Sequence, residues 1–320
     1  MFMKIVTLSI IVFANFIGYA MQQKGTLPFS FKEISDIPFS PLAKPSFIKA
    51  SDGINLAYYS FLTEKPVAIV LFYHGGGLYG NRTYQHIGMQ LQKEHNIASY
   101  FVDIRGHGNS DGPRGDAPSK QQVMDDITTL IAFINQSWPS TPLYLVGHSS
   151  GAGLLLNYSV SPGAVEHLYK GYILLAPYLG PRVGIERLGT PRFVKKVRTW
   201  IFVLNSLFKV SLFQHLPAVF FDYPKELLVS DPLVVDKYTY TMACATTPDD
   251  PRYIFEVIGK SCVLYIGHDD EQFNPTNVIA FANYNKKNMI KTNIVPGLKH
   301  LSILLSAPKL IAKSINDDSV

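Results

Sequence analysis

The chain reads as an α/β protein: a mostly parallel, doubly wound sheet interrupted by an inserted helical cap. Three observations predict this. Apolar strand-like runs alternate with amphipathic helical stretches from about residue 47 to 175, and again from about 262 onward. The runs Val67–Tyr73 and Leu143–Val146 are continuously apolar, as expected of parallel strands covered on both faces. Between about Gly180 and Lys260 the alternation stops, and an interruption of about 80 residues inside such a core is expected to form a cap.

The elements follow in order. Phe47–Ala50 and Ile54–Phe61, joined by the Ser51-Asp52-Gly53 turn, are expected to form a hairpin at one sheet edge. Val67–Tyr73 is the first parallel strand, 84–95 a helix and Ile97–Val102 the next strand. From Lys120 to Asn135, Val123, Ile127, Leu130, Ile131 and Ile134 recur on one helical face. Leu143–Val146 and Gly171–Leu175 are strands. In the cap, Phe193, Val197, Trp200, Ile201, Leu204 and Phe208 are spaced as the apolar stripe of a helix over 192–212. Lys195, Arg198, Thr199, Asn205 and Lys209 lie largely opposite, and Phe202 breaks the pattern. The sheet rhythm resumes with Cys262–Gly267, a helix near 276–285, a strand at Ile290–Val295 and a terminal helix from about Leu301. The expected organisation is core at 46–180, cap at 181–260 and core again at 261–316.

Residues 1–20 carry Lys4, a short apolar run and the ending Gly18-Tyr19-Ala20, which describe a secretory signal peptide cut after Ala20. The competing reading is an uncleaved N-terminal anchor, since Ile5–Met21 is nearly long enough to span a bilayer. Either way the remainder is expected to be exported, periplasmic or secreted. Residues 21–45, with Pro28, Pro38, Pro41 and Pro45, suit an irregular connecting arm. Cys244 and Cys262 are too few for a disulfide framework. Spacing leaves open one bridge or two separate thiols.

With 47% hydrophobic and 17% charged residues, the chain has a globular composition rather than a disordered one. The net charge of +5 is spread along the chain, so no nucleic-acid arm is implied; an anionic lipid surface is the partner this basicity suits. Nine histidines raise metal binding as a rival, but no H-E-x-x-H and no Cys/His cluster of ligand spacing occurs. No phosphate-cradling glycine motif stands at a strand–helix junction either.

The chemistry is concentrated at three strand ends. Leu143–Val146 runs into Gly147-His148-Ser149-Ser150-Gly151, the G-x-S-x-G strand–turn–helix pattern in which Ser149 stands alone at the apex of a strained elbow. A serine hydroxyl needs a base, and that base an orienting acid, in the chain order serine, acid, histidine. Downstream, one strand opens onto Gly267-His268-Asp269-Asp270-Glu271 and the next onto Pro296-Gly297-Leu298-Lys299-His300. Both lie where open α/β sheets hold their ligands. Val67–Tyr73 opens onto His74-Gly75-Gly76-Gly77, whose backbone N–H groups can face a ligand; Gly76 and Ser150 are the expected oxyanion donors. His107 and His148, in glycine-flanked turns, read as structural.

Taken in order, these motifs resemble a known family. They are joined by Arg82 and Tyr84, by the run from Asp103 to Gly115 (DIRGHGNSDGPRG) and by Ser230-Asp231-Pro232-Leu233. The whole is similar to the monoacylglycerol lipase and lysophospholipase branch of the α/β-hydrolases, the serine-aminopeptidase-like group, over about residues 47–312. The resemblance implies Ser149 as nucleophile, Asp270 as acid, from its three-residue offset after Gly267, and His300 as base. Gly76 and Ser150 match the oxyanion donors, and the Asp103–Gly115 run matches a structural loop. The implied activity is hydrolysis of monoacyl lipid esters, monoacylglycerol or lysophospholipid, through an acyl-enzyme and with no cofactor. A small-ester esterase or peptidase on the same triad, and a non-catalytic binding protein of this fold, are the alternatives. The cap departs most from the family. Its stripe is expected either to pack ordinarily or to roof an acyl pocket, with Lys195, Lys196, Arg198 and Lys209 toward an anionic membrane. Nothing in the sequence speaks to oligomeric state.

Overall fold

In the computed structural model the described residues are 31–32, 42–190, 192–208, 211–284 and 290–318. The leader at 1–20, most of the arm and Lys209 lie outside them. An eight-stranded sheet runs in the order β1-β2-β4-β3-β5-β6-β10-β11. Its strands are β1 (Ser46–Lys49), β2 (Asn55–Phe61), β3 (Ala68–Tyr73), β4 (Ile97–Val102), β5 (Leu143–His148), β6 (Gly171–Leu175), β10 (Ser261–Gly267) and β11 (Ile290–Val295). The expected hairpin is the antiparallel edge pair β1–β2, and β2 in turn pairs antiparallel with β4. Every other pairing is parallel. The helices are α1 (Gln85–His95), α2 (Lys120–Ser137), α3 (Ser150–Tyr158), α4 (Thr199–Phe208), α5 (Lys225–Ser230), α6 (Tyr240–Thr246), α7 (Pro251–Val257), α8 (Pro275–Ala282) and α9 (Ile303–Asp318).

Parallel pairing sends β3, β5, β10 and β11 out along one edge of the sheet. Tyr73 sits in register with Gly147, and Gly267 with Val295, so their following loops start level. The chain order reverses at β3, between β4 on one side and β5 on the other, the kind of switch point at which open sheets form crevices. The elements β3, β4, β5, β6 and α3 are buried throughout, so burial of these central elements on all sides makes the scaffold beneath those loops stiff.

The segment between β6 and β10 is not wholly helical. It holds a three-stranded antiparallel sheet, β7 (Val194–Val197), β8 (Pro217–Phe221) and β9 (Lys237–Thr239), as well as α4 to α7. The helix expected over 192–212 is therefore corrected: it begins only at Thr199. Lys195, Lys196 and Arg198 precede it, on β7 or just after, and the apolar stripe is split. Val194 and Val197 pair with β8, and Arg198 N–H donates to Ala218 O at 2.7 Å. A partner strand twenty residues away overrides local 3.6-residue spacing, because β-branched valines gain ladder bonds and packing there. Phe202, off the stripe by sequence, packs on Tyr240, whereas Trp200 stays 46% exposed against Phe213.

The Asp103–Gly115 loop ties the layers together. The buried Asp103 carboxylate accepts from Tyr59 Oη (3.0 Å), Gly80 N–H (2.6 Å) and Asn109 N–H (2.7 Å). Burial lifts its pKa to about 6. Gly115 O accepts from Thr239 N–H at 3.0 Å, and the following Asp116 takes Thr239 Oγ1 (2.6 Å) and His215 Nδ1 (2.9 Å), docking the inserted segment on the core. Cys244 and Cys262 are unbridged.

Gly108 has φ +49°, and a Cβ there would stand 2.1 Å from Asp103 Oδ2. Gly53 has φ +87° with open space around it. Gly108→Ala is expected to lower unfolding free energy by about 2–4 kcal/mol, adding a clash to the backbone strain. Gly53→Ala should cost about 1–2 kcal/mol, the strain alone. Urea unfolding midpoints of the two variants check the difference.

Candidate active site

The residue Ser149 joins β5 to α3 with φ 52° and ψ −117°, a region that non-glycine residues rarely occupy. The elbow is held from all sides. Ser149 N–H donates to Leu175 O at 3.0 Å, and Ser149 O accepts from Ala152, Gly153 and Tyr178 N–H at 3.1, 3.2 and 3.0 Å. Gly151 is required here, since a Cβ would meet Tyr73 O at 2.4 Å.

The structure brings Ser149, His300 and Asp270 into one hydrogen-bonded line. His300 Nε2 lies 3.0 Å from Ser149 Oγ, and His300 Nδ1 lies 2.9 Å from Asp270 Oδ2. The carboxylate can only accept, so Nδ1–H donates to it and Nε2 accepts the serine O–H. Asp270 is fully buried, and its other oxygen accepts the backbone N–H groups of Gln272 and Phe273, both at 2.8 Å. Its neighbours do something else. Asp269 is half-exposed and paired with His268 Nδ1 at 2.7 Å, while Glu271 Oε2 accepts the backbone N–H of His300 at 3.1 Å. Burial pulls the His300 imidazole down, but the Asp270 charge and hydrogen bond, helped by Glu271, outweigh it, and its pKa is held above 6.5.

The glycine loop after β3 is pinned by neutral histidines. Gly75 N–H donates to Tyr84 Oη (2.8 Å), Tyr84 O–H to His148 Nδ1 (3.1 Å), and His148 Nε2–H to His300 O (3.1 Å). Gly77 N–H donates to Tyr238 Oη (2.9 Å), whose O–H meets His107 Nε2 (3.0 Å). Burial, with His300 nearby, drives His148 down to about 3, and burial takes His107 to about 4, so both rings stay uncharged. Tyr223 O–H donates to Gly76 O at 2.5 Å. Ser150 opens α3, so its N–H has no intrahelical acceptor. Gly76 and Ser150 both line the cleft that contains Ser149 and His300.

That cleft measures about 860 Å³ out to its mouth. Phe193, Val194, Val219, Phe221 and Tyr178 form an apolar wall, and Glu186, Arg187, Thr190, Arg192 and Glu271 a polar rim. Burial raises the pKa of both Glu186 and Glu271. Of the expected cap stripe, Phe193 reaches the cleft, stacked on Phe221 at 4.8 Å; Trp200 and Leu204 do not line it. A second cavity of about 1210 Å³ shares Tyr178, Val194, Val219, Ala243 and Thr247 with the cleft and adds Val197 and Phe202. Sequence reasoning missed the roles of Tyr223 and Phe221, which lie far from the serine in the chain and carry no motif; Tyr84 stands in the family pattern, but its role in holding Gly75 N–H does not follow from it.

The family model described as Serine aminopeptidase, S33, matches residues 64–304. The chain belongs to this family. The chain is 26% identical over 136 residues to monoacylglycerol lipase of Mycolicibacterium smegmatis, covering 42% of this chain and 46% of that protein. The chain spans less than half the length of the curated relatives it matches. It superposes on a soluble variant of monoglyceride lipase from Saccharomyces cerevisiae in complex with a substrate analog, with TM-score 0.61 and 17% identity over 91% of this chain and 99% of that one. It also superposes on a highly thermostable carboxyl esterase from Bacillus coagulans in complex with glycerol, with TM-score 0.67 and 18% identity over 88% and 100%. At that identity the superpositions show the shared α/β-hydrolase fold.

The folded-state pKa of His300 lies above its unfolded value. The pairing with Asp270 therefore stabilises the fold fully at pH below the free imidazole value, and the contribution is lost as pH rises through the His300 pKa. NMR titration of the His300 ring protons should give a midpoint above 6.5. Glu271→Gln should lower that midpoint by removing one of the two negative charges; an unchanged midpoint would exclude the Glu271 contribution.

Proposed function

We propose that the chain is a serine hydrolase that cleaves carboxylic esters of monoacyl lipids, monoacylglycerol or lysophospholipid, through an acyl-enzyme. The observation that carries this is the Ser149–His300–Asp270 line standing in a largely apolar cleft. In this reading Ser149 Oγ attacks the ester carbonyl while His300 Nε2 takes its proton, and buried Asp270 steadies the imidazolium. The N–H groups of Gly76 and Ser150 receive the oxyanion. His300 then protonates the leaving alcohol, and a water molecule repeats the sequence on the acyl-enzyme. The cleft and the adjoining cavity offer apolar walls for an acyl chain.

A second reading, aminopeptidase, is favoured by the family description and by Glu186 and Glu271 on the cleft rim, which suit a free ammonium group. A panel of fatty esters against aminoacyl amides separates the two. For the molecule's setting we propose export directed by the N-terminal apolar segment. Among the described residues no helix is long and apolar enough to cross a membrane. Exposed Lys195 and Lys196 on β7, with exposed Trp200 nearby in the chain, support peripheral contact with an anionic surface, at up to ~1 kcal/mol per basic residue.

Ser149→Ala should abolish ester turnover, with a loss on the order of a million-fold, and should abolish labelling by a fluorophosphonate probe. Asp270→Asn should cost on the order of 10⁴-fold in kcat, whereas Asp269→Asn should leave it little changed. Turnover retained by folded Ser149→Ala would sink the assignment. A crippled Asp269→Asn would shift the acid by one position.

Across glycerol monoesters, kcat/KM should rise with acyl length by up to roughly fourfold per methylene until the cavity is full, from ~0.8 kcal/mol per buried CH₂. A profile that falls beyond acetyl would favour a small-ester esterase. Anionic vesicles should stimulate turnover, and Lys195→Glu with Lys196→Glu should remove the stimulation while soluble-ester turnover persists.

A further inference from the structure

We propose that Phe31, from the arm that precedes the core, sets the size limit for the alcohol half of the ester. The inference rests on the ester-hydrolase reading and extends it to the leaving group. Two spaces meet at Ser149. One is the large cleft that borders the second cavity. The other is a smaller chamber, about 260 Å³ out to its mouth, that shares Gly76, Ser149, Phe193 and His300 with the cleft and is bordered by Phe31, Tyr223 and Leu301.

An ester carbonyl held at Ser149 directs its two halves apart, and a long acyl chain requires the larger space. The compact half is left with the chamber. The His300 ring forms part of its wall, and His300 is the group that must hand a proton to the leaving oxygen.

Among the described residues lining this chamber, most belong to the reaction machinery or its supports: the glycine loop, His148, Ser149 and His300. Phe31 does not. It lies outside the family match at 64–304, is half-buried, stacks on Tyr223 at 5.1 Å and meets Phe193 edge-on at 6.1 Å. Changing its bulk changes the chamber without touching the atoms that react. A purely supportive role is the competing account. Tyr223 holds Gly76 O, so Phe31 could act only by bracing the glycine loop. Bracing would affect all esters alike, whereas a size limit would alter the ratio between compact and bulky alcohols.

The test uses the full chain as wild type, Phe31→Ala, Phe31→Leu and Phe31→Trp, with folding checked by circular dichroism. One series holds a decanoyl group constant and varies the alcohol from methyl through glyceryl to branched and aryl alcohols. The other holds glycerol constant and varies the acyl chain. Phe31→Ala should raise kcat/KM for the bulkiest alcohols relative to methyl by about tenfold, the low end of what one methylene of pocket space commands. Phe31→Leu should fall between, Phe31→Trp should shift the ratio the other way, and the acyl-length profile should keep its shape. A uniform fall in both series, a shift confined to the acyl series, or unchanged ratios would each overturn the proposal. A wild type inert toward every ester would defeat the ester reading itself; an active wild type with unshifted variants defeats this proposal alone.

Discussion

The strained backbone of Ser149 is the constraint on which the rest of the site depends. A residue at φ 52° and ψ −117° costs on the order of 1–3 kcal/mol and persists only where its surroundings over-determine it. Here they do: one acceptor for its N–H, three donors for its carbonyl, and a glycine at 151 where any side chain would strike Tyr73 O. The strain turns the hydroxyl away from β5 and α3 and into the cleft. Because β5 is buried on both faces between β3 and β6, the stiffness of the sheet centre is what sustains that geometry.

Around the elbow, polarity is handled by neutral groups. His148 and His107 are buried with depressed pKa values and serve as fixed donor–acceptor pairs rather than charges, each completing a chain that begins at a glycine-loop N–H. The imidazole whose pKa is raised is His300, because Asp270 and Glu271 supply negative charge on its side of the cleft. Adjacent buried histidines, with ring centroids 5.2 Å apart, are thereby driven in opposite directions, His148 down and His300 up. Divergence of this kind between neighbouring titratable groups is what an acid–base site needs.

The inserted segment supplies much of the cleft wall, through Phe193, Val194, Val219 and Phe221, and is latched to the core at Asp116 and at Asp231, which binds Tyr79 Oη at 2.8 Å and Arg82 at 3.2 Å. The Asp103–Gly115 loop reaches both the glycine-loop turn at Gly80 and the β9 end of this segment. A run of sequence with no chemistry of its own thus bridges the glycine loop and the inserted segment.

Strand positions and the mostly parallel sheet were legible in the sequence because continuous apolar runs and alternating periodicity are local signals that burial on two faces imposes. The positions of Ser149, His300 and Gly76 were legible for a related reason: each lies in the loop or turn that follows a parallel strand, and those strand ends gather on one edge. The choice of Asp270 over Asp269 and Glu271 was a matter of loop register; the loop's own hydrogen bonds, to Gln272 and Phe273 N–H, turn that carboxylate inward. The segment at 192–212 was misread as one helix because its strand depends on β8, a partner that no local pattern reveals. Phe31, Tyr223 and Phe221 belong to the same class, since their neighbours are distant in the chain. Local periodicity and motif order determine which elements form and where the chemistry starts. Pairing between remote segments, which depends on packing and desolvation, decides the cleft's walls and hence what fits inside it.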